Sequence, residues 1–224
     1  MNKVTQMVMV LAALVVAATD LQAQAARPVP YEQGLHYFLI DGAPVESRAP
    51  VEVVEAFSYM CSHCNTFDPY VESWKKRQPE DVRFARLPVV FGRGSWELYA
   101  RAYVTADLLN VADKGHGPLM DRLWKEKQVM RDMEELANFY GQFGVDPEKF
   151  LMTSGSFAVD ARLKKDQLKV QNYGVTGTPT MIVNGKYRVA GSEAVPNFEV
   201  LLDVVDFLVA QEIAAARPSA PASE

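Results

Sequence analysis

The chain has 224 residues, 49% hydrophobic and 23% charged, an ordinary globular balance with room for one domain carrying an insertion or for two small ones. A formal net charge of −5, with no basic stripe and no interleaving of aromatic and basic residues, argues against nucleic acid as a partner. There is no glycine-rich phosphate loop and no defensible Ser/His/Asp arrangement, and only two cysteines and three histidines are available for thiol or metal chemistry.

The first residues read as a targeting segment. Lys3 supplies a short positive region, Val8 to Ala18 an apolar run, and Ala23-Gln24-Ala25 the small-residue pattern of a cleavage site. Residues 1–25 are therefore expected to be a signal peptide, and the mature protein to work in the periplasm or outside the cell, where disulfides persist. The alternative is an uncleaved anchor, but the apolar run falls short of the about 20 residues that a spanning helix needs. At the other end, Ala214 to Glu224 holds two prolines and little to bury, and is expected to fray.

After the leader, Tyr37-Phe38-Leu39-Ile40 suggests a short strand, followed by a turn at Asp41-Gly42-Ala43-Pro44. Val51 to Tyr59 reads as a buried strand that places Val53, Glu55 and Phe57 on one face. Glu55 is then an acid among apolar neighbours. Buried without a partner it has a raised pKa and exchanges protons; near water or a base it is an ordinary carboxylate, and spacing alone does not choose.

The strand runs into Cys61-Ser62-His63-Cys64, which contains both cysteines of the chain. From Asn65 to Arg77 the residues Phe67, Tyr70, Val71 and Trp74 recur at helical spacing, with Pro69 as an expected kink. That order puts the first sulfur at a helix N-terminus, where unpaired N–H groups and the macrodipole favour thiolate over thiol. Zinc would need about four ligands, and beyond the pair only His36, His63 and His116 are offered, so no metal is expected. A purely structural disulfide across two residues would close too small a loop to be a useful staple. A redox-active dithiol is the reading that spacing and context favour.

Val82 to Val90 reads as a second strand, parallel to the first across the intervening helix, and Gly92-Arg93-Gly94 breaks the pattern. Helical periodicity then covers 95–110, 118–127, 132–143, 147–153 and 158–173. The breaks fall at Asp113 to Gly117 and around Gly144 and Gly155, and His116, in the glycine-rich break, is expected to be exposed. Thr180 to Val183 and Lys186 to Ala190 flank Asn184-Gly185, a strong hairpin signal, and Pro196 to Ile213 forms a last amphipathic helix. The layout is βαβ, a helical block, then ββα. Gly177-Thr178-Pro179-Thr180 stands at the mouth of the hairpin, where proline is ordinarily a turn or edge residue with a trans bond.

Three stretches, Tyr31-Glu32-x-Gly34-x-x-Tyr37, Glu55-Ala56-Phe57-Ser58-Tyr59-Met60-Cys61-x-His63-Cys64, and Gly174-Val175-x-Gly177-Thr178-Pro179-Thr180-x-Ile182-Val183-Asn184-Gly185-Lys186-Tyr187, together resemble the DsbA family of periplasmic thiol:disulfide oxidoreductases. The likeness covers nearly the whole mature chain. It implies an α/β thioredoxin fold with an inserted all-helical domain, divided as 26–92, 93–160 and 161–213. It implies that Cys61 is the exposed nucleophile, Cys64 its buried partner, and His63 a stabiliser of the Cys61 thiolate. Gly177, Thr178 and a cis Pro179 would face Cys61 and dock substrate backbone as an added strand. Glu55 takes the place of the family's buried acid, with Arg83 a loosely aligned candidate for its basic partner.

Two residues depart from well-known members of the family. Ser62 and Thr178 stand where those carry proline and valine, which bears on redox poise and choice of reoxidant. The resemblance further implies reduced or unfolded exported proteins as substrates on an apolar surface near Pro179, a membrane reoxidase of the DsbB type, and no cofactor. A monomer is the default. The rivals are a reductase or isomerase on the same scaffold, for which no dimerisation module is visible, and a noncatalytic binding module with an inert disulfide.

Overall fold

The computed structural model describes residues 31–216 apart from 45 and 48. The signal-peptide assignment, 1–25, and most of the expected tail lie outside the described residues. Ala214 to Ala216, expected to fray, continue the last helix instead.

Strand β2 (Val51–Phe57), rich in valine, is central and nearly continuously buried. It pairs in parallel with β3 (Val82–Pro88) and antiparallel with β4 (Thr180–Val183). The sheet is completed by β5 (Tyr187–Ala190) and the two-residue β1 (Phe38–Leu39), giving the order β1-β5-β4-β2-β3. Val183 pairs with Tyr187, so β4 and β5 are joined by three residues, of which Asn184 and Gly185 take the left-handed φ of 53° and 65° that Asn and Gly tolerate best.

Helix α1 (Ser62–Lys75) joins β2 to β3, and α7 (Phe198–Ala216) follows β5. Phe67, Val71 and Trp74 of α1 pack with Val53 and Met181 of the sheet and with Val204, Val205 and Leu208 of α7. The opposite sheet face, Val54, Ala56, Leu87 and Ile182, is covered by Val170 of α6 (Phe157–Asn172). Between β3 and α6 come α2 (Gly94–Leu108), α3 (Ala112–Trp124), α4 (Met133–Gly141) and α5 (Pro147–Ser154). Their core holds Tyr99, Leu119, Leu136, Tyr140 and Phe150, and Phe57, Tyr59 and both cysteines join it. The dithiol thus sits where the sheet meets the helical insertion.

The expected break at Asp113 to Gly117 does not exist, because those residues lie inside α3. Two glycines weaken a helix in isolation, but packing decides the matter here. The ring of Tyr140 lies against Gly115, where any Cβ would run into it. The same packing turns His116 inwards, so it is 2% exposed rather than on the surface.

Gly115→Ala tests this account. Alanine is better in a helix by about 1 kcal/mol, whereas forcing a methyl into a packed core costs about 1–3 kcal/mol. The expected outcome is a lower midpoint in thermal unfolding, and a higher one would show that the Tyr140 contact is slack.

Candidate active site

Helix α1 starts three residues earlier than its apolar spacing predicts, so the Cys-x-x-Cys forms its first turn. Cys61 is the N-cap, extended at φ −101° and ψ 115°, and no side chain caps the helix there. Its backbone is pinned on both sides: its N–H donates to Ser58 O at 3.1 Å, and its carbonyl accepts from Asn65 N at 3.2 Å. The sulfur therefore occupies the place where a capping oxygen would receive the free N–H groups of the first turn.

Both cysteines are thiols in this structure. Cys64 is fully buried, and Cys61, expected to be exposed, keeps only 9% of its surface. The reason is the loop opposite. The Thr178–Pro179 bond is cis, and the Cys61 thiol donates to the Thr178 carbonyl at 3.3 Å. Donation from the Cys64 thiol, opposed by burial, then help from the Thr178 side chain and the N–H groups of Cys64 and His63, pulls Cys61 down to about 5. Burial, hydrogen bonding to Cys61 and the charge of Glu55 push Cys64 far up. One sulfur is an acid and its neighbour is not.

Beneath Cys64 lies a buried charge cluster. Glu55 is raised to about 7 by burial, with Arg86 opposing and Asp68 and Glu72 adding to the rise. Its basic partner is Arg86, not Arg83: Arg86 Nε donates to Glu55 Oε2 at 3.1 Å. In the parallel register Glu55 faces Arg86 while Arg83 stands across from Glu52, a pair outside the buried face. Arg86 Nη2 also donates to Asp68 Oδ1 at 3.0 Å and to Glu72 Oε1 at 2.8 Å. Three carboxylates thus share one buried guanidinium. Burial opposes the Arg86 charge, but Glu55, Glu72 and Asp68 outweigh it and raise its pKa.

His116 Nδ1 lies 3.1 Å from the Tyr59 hydroxyl, and its Nε2 is 3.1 Å from Asp68 Oδ1. The second contact is close but out of line with the N–H direction, which makes it electrostatic more than a directed hydrogen bond. Burial, then the nearby Arg86 charge, lowers His116 to about 4, so the ring is neutral at physiological pH.

On the outer side, His63 and Thr66 of α1, Tyr70, Thr178, Pro179 and Phe198 border an open groove of about 670 Å³. The His63 side chain is exposed, and what reaches Cys61 is its backbone N–H. Ser62 is exposed at the first helical position. Gly177 braces the loop, its carbonyl accepting from Thr180 Oγ1 at 2.8 Å. The groove is not uniformly apolar, since Arg188 and Glu199 also line it. Among the described residues no three His, Cys, Asp or Glu side chains are placed to share a metal ion.

Cys61, Cys64, Glu55, Thr178 and Pro179 are thus brought together, with Ser62, His63 and Gly177 at the rim. The sequence did not reveal Arg86, Asp68, Glu72, Tyr59 and His116. Asp68 and Glu72 stand four apart on α1 and so share a face, but that spacing reads equally well as a solvated helix surface.

Residues 52–203 match the family described as the DSBA-like thioredoxin domain. The thiol:disulfide interchange protein DsbA of Pseudomonas aeruginosa is 38% identical over 203 residues, which cover 90% of this chain and 95% of that protein. DsbA of Pseudomonas syringae pv. tomato is 38% identical over 213 residues, covering 93% and 97%. The crystal structure of the oxidoreductase DsbA from Xylella fastidiosa superposes with a TM-score of 0.75 at 38% identity, over 83% of this chain and 99% of that one.

The two sulfurs make a measurable forecast. Thiolate absorbance of the reduced protein should titrate with a midpoint near 5, and Cys61→Ser should remove that step. Between that pH and the free-thiol value near 8.5 the folded chain binds fewer protons at Cys61 than the unfolded chain. The stability of the reduced protein over Cys61→Ser should therefore grow as pH rises through that window and vanish below it. An ordinary thiol midpoint would mean that the first turn of α1 leaves the sulfur unactivated.

Proposed function

The chain belongs to the DSBA-like thioredoxin domain family, and from that premise we propose how its own residues carry the family's reaction. The activity is protein thiol:disulfide oxidoreduction in oxidative folding, and the substrates are proteins. The single observation that carries the residue assignment is the placement of the two sulfurs: Cys61 at the N-cap of α1 against the Thr178 carbonyl, and Cys64 fully buried behind it.

In the oxidised enzyme a substrate thiolate attacks Cys61 Sγ. A substrate–Cys61 disulfide forms, the Cys61–Cys64 bond breaks, and the electron pair leaves on Cys64. Cys64 is a poor thiolate, so it takes a proton, for which Glu55, poised near 7 and close enough for its charge to act on Cys64, is the source. A second substrate thiolate then attacks the substrate sulfur, forming the product disulfide and releasing Cys61 as its stabilised thiolate. Two electrons have moved from substrate to enzyme. Holding Cys61 near 5 favours the reduced enzyme at pH 7 by about a hundredfold over an ordinary thiol, less what solvent screens at a partly exposed sulfur. That bias makes the protein an oxidant.

Thr178 and Pro179 are the docking edge in this reading, pairing extended substrate backbone beside Cys61, with Gly177 shaping the loop and the groove receiving side chains. Ser62 and the His63 N–H set the number of donors at the sulfur. The organisation is a thioredoxin-like part, 26–92 and 161–213, with the helical insertion 93–160, whose second seam falls inside α6. The protein is exported to the periplasm on its N-terminal signal, acts as a monomer on reduced or unfolded exported proteins, and is reoxidised by a membrane partner of the DsbB type.

Equilibration with glutathione tests the direction of transfer: the reduced enzyme should predominate where an unactivated dithiol is oxidised, and the reverse would place the protein among reductases. Glu55 is tested separately, through release of glutathione from its mixed disulfide with Cys61 by attack of Cys64. In this reverse step Glu55 accepts the proton, so the rate should rise with pH through about 7. Glu55→Gln should slow it about tenfold or more and abolish the inflection. An unchanged profile would remove Glu55 from the proton path.

A further inference from the structure

His116 is a buried titratable group that the reaction as written does not use. It comes from α3 of the helical insertion and enters a pocket walled by Phe57 and Tyr59, with ring centroids 5.2 and 5.1 Å away. Nothing in that aromatic packing calls for an imidazole, since a phenyl ring would fill it without desolvating two polar nitrogens. What the imidazole adds is contact at both ends. Its Nε2 faces the Asp68 oxygen, Oδ1, that also receives Arg86 Nη2 at 3.0 Å. Asp68 is ionised: burial raises its pKa, but His116, Arg86 and Lys75 more than offset that. A neutral ring must then carry its proton on Nε2 and accept from Tyr59 at Nδ1.

We propose that His116 is a positioning residue for the exchange reaction: its contact with Asp68 fixes how the Arg86 guanidinium is divided among Asp68, Glu72 and Glu55, and thereby how readily Glu55 exchanges a proton with Cys64. The proposal rests on the proton-transfer role given to Glu55 above. The charged and titratable groups around His116 are Asp68 and Glu72 of α1, Arg86 of β3 and Tyr59, with Tyr103 of α2 and Tyr140 of α4 behind Tyr59. Around Glu55 they are Arg86, Asp68, Glu72 and Cys64. Removing His116 acts on Glu55 by two routes of one sign. Asp68 loses a compensating dipole, so its negative charge bears harder on Glu55. Asp68 also draws Arg86 towards itself, away from Glu55. Both make Glu55 hold its proton to higher pH.

The test is the pH profile of glutathione release by Cys64 in folded full-length variants, with thermal unfolding run alongside. His116→Phe should move the midpoint upward by about half a unit or more, which is about threefold slower release below the midpoint. His116→Gln, which keeps a donor, should recover at least part of that shift. On an Asp68→Asn background His116→Phe should add nothing. An unmoved midpoint in folded His116→Phe, or the same shift on the Asp68→Asn background, overturns the proposal. If His116→Phe does not fold, His116→Leu, which also lacks a donor, carries the same comparison: its upward shift must disappear on the Asp68→Asn background, and a shift that persists there, or none without it, overturns the proposal. Glu55→Gln separates the two levels. Loss of the inflection there with no response in the His116 variants overturns the His116 role alone, whereas an inflection that survives Glu55→Gln overturns both.

Discussion

A helix that begins on a sulfur governs the chemistry of this protein. The first N–H groups of α1 need an acceptor, and where a Ser, Asp or Asn oxygen would ordinarily serve, the chain presents Cys61. A thiol satisfies those donors poorly and a thiolate well, so the local structure is completed only when the proton leaves. β2 delivers the chain to that point and the Thr178–Pro179 loop closes over it, leaving a narrow opening at the sulfur.

The second cysteine bears the opposite consequence. One turn into the helix, Cys64 is cut off from solvent with a carboxyl group underneath, and the help it receives from the Ser58 N–H is outweighed. A proton must move whenever the disulfide opens or closes, and the protein keeps an acid–base group within the core for it. Burying Glu55 alone would be costly, and burying it as a simple ion pair would lock it ionised. Sharing Arg86 among three carboxylates leaves Glu55 with a fraction of the compensating charge, which holds it near neutrality.

The inserted helices take part in this arrangement. Trp124 Nε1 donates to the Tyr59 carbonyl at 2.9 Å, and His116 holds the hydroxyl of the same residue, so both ends of Tyr59 are tied to α3 two residues before the reactive sulfur. The segment that leads into the dithiol is thus fastened by the insertion as well as by the sheet.

Much of this was written in local pattern. Alternation in Val51 to Phe57, the Cys-x-x-Cys that follows, the Asn-Gly turn and the helical stripes each report a short-range constraint, and short-range constraints survive in sequence order. Burial was misread where glycine intervened: Gly115 and Gly117 look like a break, but Gly115 is a socket for the Tyr140 ring, contributed by a different helix. The choice of Arg86 over Arg83 was equally invisible, since both stand opposite acids in the same strand pair and only the packing of α1 decides which pair is inside. The amino-acid order by itself determined the dithiol and its place at a helix start, because each follows from residues close together in the chain, and it carried the fold through motifs spread from Tyr31 to Tyr187 that together resemble one family. Tertiary structure alone decided that Cys61 is nearly covered, that one guanidinium serves three carboxylates, and that a histidine from the insertion reaches them, because charges in a core are set by neighbours that only folding assembles.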